Sequence, residues 1–285
     1  MRTIETFCAE KKDIWIWLDR FGEAKINYDP STPHRHDFYE ILFFEKGDGI
    51  HLVDFAEFPI RSNSCYFLFP HQVHSFKHFS KPKGCVIRCY EEGLFSSQLN
   101  ALILSLSFSA KSPTIFEDDA QKFADVMQLL NPLQHLLQKY PNTTNHIILH
   151  LFQSFLLYLL EISGISQDFA KHSKNTNLIV KFLQLVENNF FTAHTVKEYA
   201  EELLTTERKI SSATQHYLGL NPLQVIHNRI LLEAKRLMLY ENQSQKEIAF
   251  KLGFDSSDKY SHFIKNKTGL APTEIKKEIG KIHKL

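Results

Sequence analysis

The sequence predicts an α+β protein of two domains, an antiparallel β-barrel with flanking helices followed by an all-α domain. Three observations predict this. Short aromatic and β-branched runs dominate up to about Tyr90, an apolar spacing of three and four takes over from about Leu94, and the last hundred residues repeat one helical design about fifty residues apart. The chain of 285 residues is long enough for two cores, since one domain holds about 100 to 200 residues.

The strand-like runs are Phe38 to Phe44, Gly49 to Val53, Cys65 to Phe69 and Cys85 to Tyr90, separated by Gly, Pro, Asp and Asn. Such spacing fits a small sandwich or barrel. From Leu94 to Ile162, Phe123, Val126, Met127 and Leu130, then Leu133, Leu136 and Leu137, recur at helical intervals, with Pro132 bending or starting a helix. Two helices are expected, from about Glu117 to Tyr140 and from Asn145 to Ile162. The polar stretch Ser163 to Asn177 has no period and reads as a linker, so the domains are 1-163, linker 164-176, and 177-285.

Charge is nearly balanced overall, with 33 Lys+Arg against 32 Asp+Glu, but it is unevenly placed. Thr176 to Leu285 carries 16 basic and 12 acidic side chains, so this half is the better partner for a polyanion. Cys8, Cys65, Cys85 and Cys89 form no C-x-x-C pair and no zinc-finger array, which fits a reduced, cytoplasmic protein. The first residues lack the apolar stretch of a signal peptide. The most apolar segment, Ile147 to Leu160, is interrupted by His150, Gln153 and Ser154 and is shorter than the ~20 residues of a membrane span, so no membrane partner is expected.

In the C-terminal repeat, Thr195-Val196-Lys197-Glu198 and Ser244-Gln245-Lys246-Glu247 are capping boxes that start a helix. Each is followed by a small inward residue, Ala200 or Ala249, then a polar turn and a second helix. On the first such helix Arg208, Ser211, Ser212 and Gln215 form one polar stripe, with Ile210, Ala213, Thr214 and Tyr217 largely opposite. In the second unit Asp258, Ser261, His262 and Lys265 repeat the stripe, and Tyr260, Phe263 and Ile264 supply the core face. Hydrogen-bonding stripes on paired second helices suit reading of base edges in the DNA major groove. Lys209, Lys259, Lys265 and Lys267 are expected to contact phosphates, which fixes register without reading sequence. Asn221-Pro222 starts a long helix with a spine of Val225, Ile226, Ile230, Leu237 and Met238, a rigid spacer that would set the reading helices about one duplex turn, roughly 34 Å, apart.

Over Leu178 to Ile279 the sequence resembles the AraC/XylS family of transcriptional regulators. Ala200, Ile210, the Gly219-x-Asn221-Pro222 corner, Arg229-Ile230 with Ala234-Lys235, Ile248-Ala249-x-x-Leu252-Gly253-Phe254 and Gly269-x-Ala271-Pro272 carry the resemblance. It implies base-reading roles for Arg208, Ser211 and Ser212, and for Ser257, Asp258, Ser261 and His262. It also implies double-stranded DNA and RNA polymerase as partners. Three positions depart from the family pattern: Ser212 and His262 replace basic residues, Leu204 stands where a turn glycine is usual, and Glu207 adds negative charge. A non-glycine residue in a left-handed turn costs about 1 kcal/mol.

In the N-terminal half, His34-x-His36-x3-Glu40 with Gly47, followed by Pro70-x-x-x-His74, resembles the paired motifs of a cupin barrel. Alternation puts His34 and His36 on one strand face, where Glu40 and His74 can join them. Members of the AraC/XylS family commonly carry such a barrel as a sensor, so His34, His36, Glu40 and His74 are expected to bind a small-molecule effector, with no metal and no cofactor. The rival reading is a metal-dependent cupin enzyme; Tyr28 in place of a glycine and a second motif one residue short weigh against it. His51, His71 and His78 read as strand-surface residues. The surplus apolar positions Ile147, Ile148, Leu151, Phe152, Phe155, Leu156 and Leu159 suit either a homodimer interface or a cover for the barrel.

Overall fold

The computed structural model describes residues 6–7, 16–21, 29–78, 82–90, 99, 103, 106, 113–140, 146–164, 173–241 and 243–283. Cys8, Tyr28, the first residues of the expected helical region and residues 165–172 of the expected linker lie outside them. The chain divides into two compact units, one within residues 5–171 and one within 172–285.

The first unit contains β1 (Thr6–Phe7), β2 (Ile16–Arg20), β3 (Arg35–His36), β4 (Tyr39–Lys46), β5 (Ile50–Val53), β6 (Ala56–Pro59), β7 (Ser64–Leu68), β8 (His74–Lys77), β9 (Lys83–Cys89) and β10 (Thr114–Phe116). A five-stranded sheet runs in the order β10-β7-β4-β9-β2, a three-stranded sheet in the order β6-β5-β8, and β1 pairs in parallel with β3. Leu42, Phe44, Tyr66, Leu68 and Val86 of the larger sheet close on Val53 and Phe76 of the smaller one, with Ile60 between. Glu40, Leu42 and Phe44 therefore share the inner face of β4. Phe43 points the other way and meets Phe155 edge-on at 5.9 Å. Both faces of β4 are covered, which is why it reads as a continuous apolar run rather than an alternating one.

Four expected runs correspond to β4, β5, β7 and β9. The strand region does not stop at Tyr90, however: β10 lies among the expected helices and extends the large sheet by pairing with β7. Its three residues were too few to show a period. Two helices follow, α1 (Ala120–Lys139) and α2 (His146–Ile162). Asp119 caps α1 through the Lys122 amide, and Pro132 lies inside it on the exposed side, where the carbonyl it leaves free can reach water. In α2, Ile148, Phe152, Phe155, Leu156, Leu159 and Leu160 are all buried within their own unit.

The second unit has seven helices among the described residues: α3 (Ser173–Asn189), α4 (Val196–Glu202), α5 (Glu207–Leu218), α6 (Pro222–Tyr240), α7 (Gln245–Lys251), α8 (Ser257–Thr268) and α9 (Pro272–His283). Helix α3 begins at Ser173, inside the stretch expected to be linker; it buries Ile179, Val180, Phe182, Leu183 and Val186 and packs on α4, α5 and α6. Asn221 and Gln224 form a third capping box, and Pro222 occupies the first turn of α6, where no amide partner is lost. Val225, Ile226, Ile230, Leu237 and Met238 are all buried, making α6 the spine.

Candidate functional site

Both helix pairs of the second unit are built by the same local chemistry. The Thr195 amide donates to Glu198 Oε2 at 2.7 Å and the Ser244 amide to Glu247 Oε2 at 2.7 Å, while each hydroxyl accepts from the amide three residues on. Thr206 and Ser256 then cap α5 and α8 by accepting from the Lys209 and Lys259 amides. Gly219 and Gly269, both left-handed, end those helices.

On α5, Ile210, Ala213 and Thr214 are buried, whereas Arg208, Lys209, Ser212 and Gln215 are exposed and Ser211 is half-buried. On α8, Tyr260 and Ile264 are buried, and Phe263 is half-buried against Phe254 and His227, with ring centres 5.3 and 5.2 Å away. Asp258, Lys259, His262, Lys265 and Lys267 are exposed, and Ser257 and Ser261 half-buried. Lys259 pairs with the Asp255 carboxylate, so its charge is partly engaged within the turn. Gly253 and the α7–α8 turn are braced from the first pair: His194, ahead of α4, bonds the Leu252 carbonyl through Nε2 at 2.9 Å.

Within the barrel the motif residues come together. His34 and His74 exchange backbone hydrogen bonds of 3.0 and 2.9 Å, and their rings lie 4.2 Å apart. The ligand-capable atoms of His36, Glu40 and His74, all three buried, lie within 4.8 Å of one another; His34 flanks the trio rather than joining it. His36 Nε2 is 3.6 Å and His74 Nε2 4.0 Å from Glu40 Oε2, too long for hydrogen bonds. Neither nitrogen has a hydrogen-bond partner among the described residues.

Two further residues complete the cluster, and sequence reading missed both. His51, expected on a strand surface, is fully buried with Nε2 3.2 Å from His74 Nδ1. This corrects the expectation: β5 faces the smaller sheet's inner side, next to β8, which carries His74. His71 and His78 are exposed, but in left-handed turns rather than on strands. Arg88, buried on β9 directly across from Glu40, donates to Glu40 Oε1 and to Asp19 Oδ2, each at 2.9 Å. Opposite charges embedded in two apolar runs were the available signal.

Burial raises the Glu40 carboxyl, but the Arg88 guanidinium, helped by His36 and His74, overrides this and holds it well below the usual range. Burial pushes His51 down to about 3 and His74 well below its ordinary value, and lowers His34, where the Thr32 carbonyl partly offsets it. The interior therefore offers Glu40 as a carboxylate and His34, His51 and His74 as neutral imidazoles, a donor set for a cation or for hydroxyl groups rather than for an anion.

Two capped helix pairs joined by a spine, in a chain that also carries a small β-barrel, define the class of sensor-linked DNA-binding regulators. Family models agree: an AraC-like ligand binding domain matches residues 22–160, and a helix-turn-helix domain matches residues 199–278. The chain belongs to the AraC family of transcriptional regulators. Similar proteins include the HTH-type transcriptional activator RhaS of Enterobacter sp. (strain 638), 23% identical over 265 residues, covering 90% of this chain and 93% of that one. RhaS of Escherichia coli (strain SE11) is 24% identical with the same coverage. Among solved structures, ToxT from Vibrio cholerae O395 aligns over 93% of this chain and 100% of its own, at 14% identity and a TM-score of 0.38. The RhaS proteins are transcriptional activators, and membership of the AraC family makes this chain a transcriptional regulator, so the enzyme alternative is set aside. No helix among the described residues is long and apolar enough to cross a membrane.

Proposed function

We propose that the chain reads a specific double-stranded DNA site with α5 and α8. Arg208, Ser211, Ser212 and Gln215, and Ser257, Asp258, Ser261 and His262, meet base edges, while Lys209, Lys259 and Lys265 hold phosphates. The observation that carries this reading is the division of each second helix into a buried apolar stripe and an exposed polar one, each started by a side-chain cap. The functional division is a sensor over 1–163 and a reader over 177–285, with the linker between them shortened by the start of α3 at Ser173. A small molecule bound among His34, His36, Glu40 and His74 shifts DNA affinity by preferring one arrangement of the regulator over another. The regulator acts in the cytoplasm as a homodimer and meets RNA polymerase at its promoter.

A mobility-shift titration on the gene's own upstream DNA against scrambled DNA of equal length, at fixed near-physiological salt, tests it. Tighter upstream binding that is lost in an Arg208→Ala/His262→Ala variant supports sequence reading. Equal, weak, salt-sensitive binding to both DNAs overturns it.

A further inference from the structure

We propose that His36, Glu40 and His74 bind one divalent first-row transition-metal ion, which makes this cation part of the ligand held by the barrel. The inference deepens the effector reading and rests on it for the location of the ligand site.

The geometry supplies each requirement. His36 Nδ1 donates to the Phe38 carbonyl at 2.7 Å, which fixes the tautomer and leaves the lone pair on Nε2, the atom facing Glu40. His74 is held likewise through Nδ1 by His51; donation from His74 to His51 leaves the lone pair on His74 Nε2. Arg88 occupies Glu40 Oε1 and so turns Oε2 toward both imidazoles. Two buried nitrogens without partners are costly in a fold, and a single cation satisfies both together with the carboxylate. Metal–nitrogen bonds of about 2.0–2.1 Å at tetrahedral angles separate neighbouring donors by about 3.4 Å. The observed 3.6 and 4.0 Å to Glu40 need a small contraction, and the remaining His36–His74 separation closes from within 4.8 Å. Two imidazoles and one carboxylate suit iron, cobalt, nickel or zinc rather than calcium or magnesium, and leave positions open for a polar group of an organic effector.

The test uses the full chain, stripped with a chelator and then titrated with cobalt(II) chloride. About one cobalt per chain by elemental mass spectrometry is expected, with visible d–d bands. Both are lost in His36→Gln and His74→Gln, weakened more than about tenfold in Glu40→Gln, and kept in His135→Ala on exposed α1. Circular dichroism of each variant separates lost binding from lost folding, and zinc competition reads the same site in the wild type alone. No stoichiometric cobalt in the folded wild type, or cobalt binding unaffected in His36→Gln or in His74→Gln, overturns the metal site. A parallel thermal-shift series with uncharged polyols and sugars on the stripped protein separates the two readings. Stabilisation there without cobalt binding removes the cation and leaves the effector pocket; failure of both removes both.

Discussion

At Leu204 the backbone is left-handed, with φ of 49°, and the side chain is 95% exposed, so the strain has no compensating contact. The corresponding turn of the second helix pair carries Gly253 at φ 77°, where a Cβ would stand 2.1 Å from the Phe191 carbonyl oxygen. Leu204→Gly should therefore stabilise the reader by about 1 kcal/mol, and Gly253→Ala should destabilise it by about 3 kcal/mol or more, both measured by urea unfolding. Arg88 gives a second contrast. Arg88→Met leaves Glu40 buried without its cation and is expected to cost about 3–5 kcal/mol, part of which Glu40→Gln restores in the double variant. His227 sets a pH dependence: burial, with repulsion from Lys267 and His194, pushes it down to about 4. Below its ordinary value near 6.5 the unfolded chain takes up a proton that the native state refuses, so stability falls as pH drops from about 6.5 toward 4. The thermal midpoint of wild type should decline over that window more steeply than that of His227→Gln; parallel profiles would exclude His227 as the source.

Elements of the reader are set by their ends. Thr195, Ser244, Thr206 and Ser256 each satisfy amides at a helix start that would otherwise lack partners, and Ser244→Ala should cost about 1 kcal/mol by the same unfolding assay. These caps were legible in the sequence because a cap is a contact between residues three apart. The proposed reading of DNA by α5 and α8 divides by side chain. Arg208→Ala should weaken binding to the upstream site by about 1–3 kcal/mol and relax preference at one base position, whereas Lys265→Ala should weaken all sequences alike and lower the salt slope by about one. A competition series over single-base variants of the site, repeated at several salt concentrations, separates the two. In the barrel, β4 was legible as a strand but the roles of its two faces were not, since Ile41 and Phe43 are as apolar as Leu42 and Phe44 and all four are buried.

For the whole molecule, assembly is decided by what remains outside once each unit has packed. Most of the apolar surplus of α2 is spent on its own unit; Ile147, 63% exposed, and Leu157, 48% exposed, remain on the surface. If these seat a second copy, Ile147→Lys/Leu157→Lys should convert a dimer to a monomer in sedimentation and weaken DNA binding, and unchanged sedimentation would move the dimer contact elsewhere. The sequence by itself determined the two-domain division in outline, the duplicated capped helices, the polar stripes and the grouping of His36, Glu40 and His74. All of these rest on spacings of two to four residues or on a family pattern laid along the chain. Only the tertiary structure decided that His51 and Arg88 belong to the same site, that His34 stands beside it, and that β10 extends the larger sheet. The physical reason is register. Arg88 lies 48 residues from Glu40 and His51 lies 23 from His74, and strand pairing, not sequence distance, places each beside its partner in an interior where an unpaired charge is costly.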